Sequence, residues 1–126
     1  MHWEVNFMEK EGVVNIRTSG ILTDLSENQR MISDVLAEAE KHGVTKILID
    51  DRDLTLKVDL VDIYYLPKEY DSYKSSRSYK VAIVFAVANN TNSENKFKFY
   101  ETRVANMGYN HRLFTDLNAA LDWLMS

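Results

Sequence analysis

Between Lys80 and Asn89 the chain runs through eight consecutive apolar residues, Val81-Ala82-Ile83-Val84-Phe85-Ala86-Val87-Ala88. A membrane-crossing helix needs about 20 residues, so this run is too short to be one. It is also too apolar for a strand with one face in water. What suits it is a strand in the middle of a sheet covered on both sides, the arrangement of parallel α/β proteins. Lys46-Ile47-Leu48-Ile49-Asp50 reads as a second strand of this kind.

The rest of the chain alternates around these two strands. Trp3, Val5 and Phe7 alternate with polar residues, and after Glu9-Lys10-Glu11-Gly12 a second alternation carries Val14, Ile16 and Thr18, so the first two strands form an antiparallel hairpin at the sheet edge. Ser26-Glu27-Asn28-Gln29 has the form of a capping box. The helix it opens places Met31, Ile32, Val35, Leu36 and Ala39 on one face and ends at Gly43. A short second helix spans Val58 to Leu66 and is stopped by Pro67, with a looser segment from Lys68 to Tyr79 after it. A third helix capped by Asn92 or Ser93 turns Phe97, Tyr100, Val104 and Ala105 inward and closes at Gly108. Tyr109 to Phe114 is the fifth strand, and Thr115 or Asp116 caps a last helix bearing Leu117, Ala120, Leu121 and Leu124. The expected fold is α/β, one domain over residues 1–126, with a five-stranded, mixed and mostly parallel sheet and four helices in the order β-β-α-β-α-β-α-β-α.

Composition narrows the chemistry. A formal charge of -4 provides no basic field for a phosphate backbone, so nucleic acid is not an expected partner. With no cysteine there is no disulfide, thiolate nucleophile or Cys-ligated metal. No GxSxG, HExxH, GxxxxGK[ST] or GxGxxG pattern occurs, and neither His42 nor His111 has a sequence-local partner. No catalytic residue, metal or cofactor is therefore expected. Met1 to Phe7 lacks the basic start and apolar run of a secretory signal, and no transmembrane segment is seen, which sets the expected location as cytoplasmic.

Ile47-Leu48-Ile49-Asp50, Asp59-Leu60-Val61-Asp62-Ile63-Tyr64, Val81-Ala82-Ile83-Val84, Gly108-Tyr109-Asn110 and Phe114-Thr115-Asp116 through Ala120-Leu121-Asp122-Trp123-Leu124 occur in an order that resembles the STAS fold of anti-anti-sigma factors. The chain is most similar to the SpoIIAA-like, STAS/SEC14-related bacterial proteins. The resemblance implies a non-enzymatic regulatory or protein-interaction module. In the phosphoregulated members a serine opens the second helix. Here that place falls at Asp59 or Leu60, and the nearest hydroxyl, Thr55, comes several residues early. The phosphorylatable serine is thus missing, and Asp59 reads as a helix cap rather than a phosphate mimic.

Two regions hold the candidate site residues. Asp50-Asp51-Arg52-Asp53 follows a parallel strand, where ligands of open α/β sheets bind, although Arg52 can neutralise the carboxylates of Asp50, Asp51 and Asp53 and make this a salt-bridged loop. Ile63 to Tyr79 holds Tyr64, Tyr65, Tyr70, Tyr73 and Tyr79, a density suited to an interface with another protein or a second copy of the chain. At least two of Tyr65, Tyr70 and Tyr73 are expected on the surface. The alternative function is a small-molecule or lipid-binding domain with a crevice beside the second helix, near Leu60, Ile63, Tyr64 and Leu66. A closed apolar cavity of about 300 Å³ or more there would favour a ligand, and a filled core with an exposed aromatic patch would favour a partner. Ala88 to Ser93, a polar turn into the third helix, is a weaker anion-receiving candidate.

Overall fold

In the computed structural model, which describes residues 1–71, 73, 78–87 and 91–126, five strands hydrogen-bond side by side in chain order. They are β1 (His2–Met8), β2 (Val13–Leu22), β3 (Lys46–Leu56), β4 (Lys80–Val84) and β5 (Asn110–Phe114). The helices are α1 (Leu25–His42), α2 (Leu60–Tyr70), α3 (Thr91–Asn106) and α4 (Leu117–Met125). β1 and β2 are antiparallel and each later pair is parallel. This is the mixed α/β sheet with four helices that the alternation of the sequence predicts.

The strand order explains where the helices lie. Each parallel strand adds on the same side of its predecessor, so crossovers of one hand carry α1, α2 and α3 onto the same face. Their apolar residues, among them Val35, Ile63 and Val104, form one core with Ile16, Ile49 and Ile83 of the sheet. The opposite face is left to α4, whose Ala120 and Leu124 pack on Val13, Leu48, Ala82 and Val84. Lys80 ties this layer down: its Nζ donates to the Trp123 carbonyl at 2.5 Å, a cation at the negative end of α4. The predicted central residues Val81, Ile83, Phe85, Ile47 and Ile49 are all buried.

Four local readings need correction. The N-cap of α1 is Asp24, whose side chain accepts from the Ser26 amide, so the Ser26 box lies inside the first turn. α2 does not stop at Pro67 but continues to Tyr70. Proline in a helix forfeits one backbone bond and crowds the preceding turn; here its ring is fully buried, so core packing offsets that cost. β4 ends at Val84 rather than Ala88. Ser93 is not a cap either: it sits inside α3, buried, and its Oγ accepts the Leu56 amide at 3.1 Å, fastening the end of β3 to α3.

The largest correction concerns the acidic run. β3 spans eleven residues, so Asp50 to Asp53 belong to a strand and not to a loop. Register slips there: Arg17 pairs with Asp50 but Ser19 pairs with Asp53, so the single residue Thr18 faces two residues of β3. Such a bulge re-aims side chains. Its effect is to keep Ile47, Ile49 and Asp51 on the inner face before the slip and Leu54 and Leu56 on that face after it.

Candidate functional site

Between the inner face of the sheet and α1, α2 and α3 the packing leaves a hollow of about 100 Å³. Its walls are mostly apolar, with Met31 and Val35 of α1, Ile63 and Leu66 of α2, and Ile49 and Ile83 of the sheet. Polar side chains break this lining, among them Asp51, Tyr70, Tyr100 and His111.

Asp51 stands out among them. It is 8% exposed, and the Thr18 hydroxyl donates to its Oδ1 at 2.5 Å. Among the described residues Thr18 is the one hydrogen-bond partner of this carboxyl, which leaves Oδ2 without one. Burial pushes its pKa up to about 7, because removing a carboxylate from water disfavours the charged form; the Thr18 bond opposes that shift, and the neighbouring Asp50 charge adds to it.

The aromatic groups form a chain. Tyr70 and Tyr100 pair through their hydroxyls at 2.9 Å, and the Tyr100 hydroxyl pairs with His111 Nδ1 at 2.8 Å. Burial, with the Tyr70 hydroxyl and the negative field of Asp51, raises the Tyr100 pKa well above its usual value. Burial also lowers His111 to about 4, so its imidazole is neutral at physiological pH. The Tyr109 ring packs edge-on against Tyr70, and its hydroxyl donates to Asp71.

The predicted site residues divide between this hollow and the surface. Asp51, Tyr70 and Tyr73 line the hollow. Asp53 lies on the surface, paired with Arg17 at 3.0 Å. Asp50 is held by the Arg52 guanidinium through bonds of 2.8 and 2.7 Å, which keeps its carboxyl below the usual pKa. The three acids therefore do not converge, and among the described residues no three His, Asp or Glu side chains are placed to hold a metal. Asp59 precedes α2 and is exposed, and its carbonyl accepts the Ile63 amide. Thr55 lies within β3, opposite Ile21.

The expectation for the tyrosines is overturned in part. Tyr65 is exposed, but Tyr70 is buried in the core and Tyr73 is only half-buried, so one of the three is on the surface instead of two. The physical reason is the extra turn of α2 past Pro67, which carries Tyr70 inward above Ile63 and Leu66. The remaining candidates on this helix, Tyr64 and Tyr65, are exposed together with Leu60 and Val61. The Arg103 guanidinium lies 3.9 Å from the Tyr64 ring centre and its Nε donates to the Tyr64 carbonyl at 2.8 Å, while Lys68 Nζ stands over Tyr65. Lys74 and Arg77 of this segment, and Ala88 to Asn90 of the anion-receiving candidate, lie outside the described residues.

The residues missed as site members are Thr18, Tyr100 and His111. Each carried a usable signal, Tyr100 through its place beside Phe97 and Val104 on the inward face of the third helix. Thr18 continues the inward alternation of Val14 and Ile16, and His111 shares the parity of Leu113 on the face that α3 covers. No protein-family model matches this chain, and no curated protein is found to be similar to it.

Proposed function

We propose that this chain is a non-enzymatic interaction module on a STAS-like scaffold, with the outer face of α2 as its docking surface and a second copy of the chain as the partner. The observation that carries this reading is the exposure of Leu60, Val61, Tyr64 and Tyr65 on a helix whose other face, Ile63, Leu66 and Tyr70, already fills the core. A helix apolar on both faces is expected where both are to be covered. The cavity, at about 100 Å³, is far smaller than the volume that would favour a sizeable lipid or cofactor.

An identical helix suits this face. Leu60 with Tyr64, and Val61 with Tyr65, are two ridges at a spacing of four residues, and such ridges fit the grooves of a like helix. A two-fold interface must be complementary to itself. Here Asp59 and Asp62 mark one end of α2 and Lys68 the other, so an antiparallel pair brings opposite charges together at both ends. The helix is short, which suits reversible rather than obligate association.

The test is sedimentation velocity over a wide concentration range. The wild type is expected to shift toward dimer as concentration rises, while Val61→Glu/Tyr65→Glu stays monomeric with a melting temperature close to wild type, because both side chains are exposed. A wild type that stays monomeric throughout, or a double variant that still associates, contradicts the reading.

A further inference from the structure

The hollow beneath α1, α2 and α3 plays no part in docking through the outer face of α2, yet it has the features of a small binding site. Its capacity is set first. At about 100 Å³ it is somewhat smaller than an engineered apolar cavity of about 150 Å³ that accepts benzene, so a ligand of roughly six non-hydrogen atoms is the limit.

Charge then selects the ligand. Among the described residues no lysine or arginine lines the hollow. The imidazole of His111 is neutral and already engaged by Tyr100. An anion would find no countercharge and would face the Asp51 carboxyl. Asp51 has one oxygen held by Thr18 and a second without a partner, in a side chain more than nine-tenths buried. Among the described residues Asn15 Oδ1 is the one fully buried side-chain polar atom without a partner, so Asp51 Oδ2 is accessible and can accept from a donor placed in the hollow. Aromatic residues are near as well: Phe97, Tyr100 and Tyr109 are among the lining. Part of the lining still meets solvent, including the half-buried Asn28 and Ile32 of α1 and Tyr73.

We infer that the hollow binds a small primary amine with a branched apolar body, its ammonium group against the Asp51 carboxylate and its hydrocarbon among Met31, Val35 and Ile83. No covalent step is involved. Thr18 acts as a positioning residue that holds the carboxylate from the other side.

The probe is 3-methylbutylamine, compared with 3-methylbutanol and with the carboxylate 2-methylpropanoate, which have the same number of non-hydrogen atoms and a branched body but change the charge. Binding is followed by calorimetry and by the side-chain carboxyl carbon resonance of Asp51. The amine is expected to bind saturably, to move that resonance to its ionised position, and to bind at least about tenfold more tightly than the alcohol or the carboxylate. Asp51→Asn keeps an acceptor for Thr18 and removes the charge, so it should fold and bind the amine at least about tenfold more weakly. The proposal is overturned if the amine does not saturate the wild type, if the alcohol binds as well, or if Asp51→Asn binds the amine unchanged. Since Val61→Glu/Tyr65→Glu leaves the hollow intact, amine binding by that variant separates failure of this proposal from failure of the α2 docking reading.

Discussion

Ile83→Ala lowers the free energy of unfolding by about 2 to 5 kcal/mol. Ile83 lies on an interior strand of the sheet, opposite Ile49 of β3 on one side and Leu113 of β5 on the other, and is almost completely buried. It also lines the hollow, so the space vacated by the side chain joins a void that is already there instead of being closed by neighbours. Cavities that cannot collapse give the larger penalties, which puts the expected value toward the upper part of the range. Against a typical total stability of about 5 to 15 kcal/mol this is a large fraction. Denaturant unfolding followed by far-ultraviolet circular dichroism measures it. A loss under about 0.5 kcal/mol is what a peripheral strand would give, and would mean that β4 is not central.

Asp51→Asn is expected to stabilise the protein, and by an amount that depends on pH. The folded-state pKa of Asp51 is about 7 against an ordinary 3.8, so between these values the folded chain retains a proton that the unfolded chain has released. The stability associated with that proton is fully present below the unfolded pKa and is lost as pH rises through the folded one. A shift of this size corresponds to about 4 kcal/mol as an upper bound, at about 1.4 kcal/mol per pH unit. Asparagine does not ionise and still accepts from Thr18. The variant should therefore match wild type near pH 4 and exceed it by about 1 to 4 kcal/mol above pH 7. His111 acts in the opposite direction: its lowered pKa of about 4 gives stability that is lost as pH falls below its ordinary 6.5. In the wild type the two slopes oppose each other over this window. In Asp51→Asn the His111 slope stands alone, and stability should fall visibly as pH is lowered from about 6.5 to about 4. Equal stability of the two proteins at pH 8 would show that Asp51 is solvated and does not face a closed core.

The central strands could be read from the sequence because their signal is local and strong. An apolar run such as Val81 to Phe85 has no stable place outside a covered sheet, and the spacing of Met31, Val35 and Ala39 needs no tertiary information to define the buried side of α1. What escaped reading depends on partners far away in the chain. Asp50 to Asp53 look like a loop by composition, yet they are strand because Arg17 and Ser19 of β2 pair with Asp50 and Asp53 at its two ends. β-structure of this kind is decided by neighbours more than by intrinsic preference. Pro67 is a local stop signal overruled by its own burial. The same holds for the site. Asp51, Tyr70 and Tyr73 were legible as candidates by residue type, but their separation from Asp53, Tyr64 and Tyr65 follows from a bulge and an extra helical turn that no spacing rule announces. His111 acquires its role from Tyr100, a contact made only when α3 folds back over β5.

The claim that the outer face of α2 is an interface between copies of the chain is tested most directly by recording amide and side-chain nuclear magnetic resonance spectra on progressive dilution. The resonances of Leu60, Val61, Tyr64, Tyr65 and Lys68, and of Arg103 beside them, should shift together along one dimerisation curve while those of the edge strands β1 and β5 stay fixed. Spectra that do not change with concentration, or shifts that gather on β1 or β5, would contradict it.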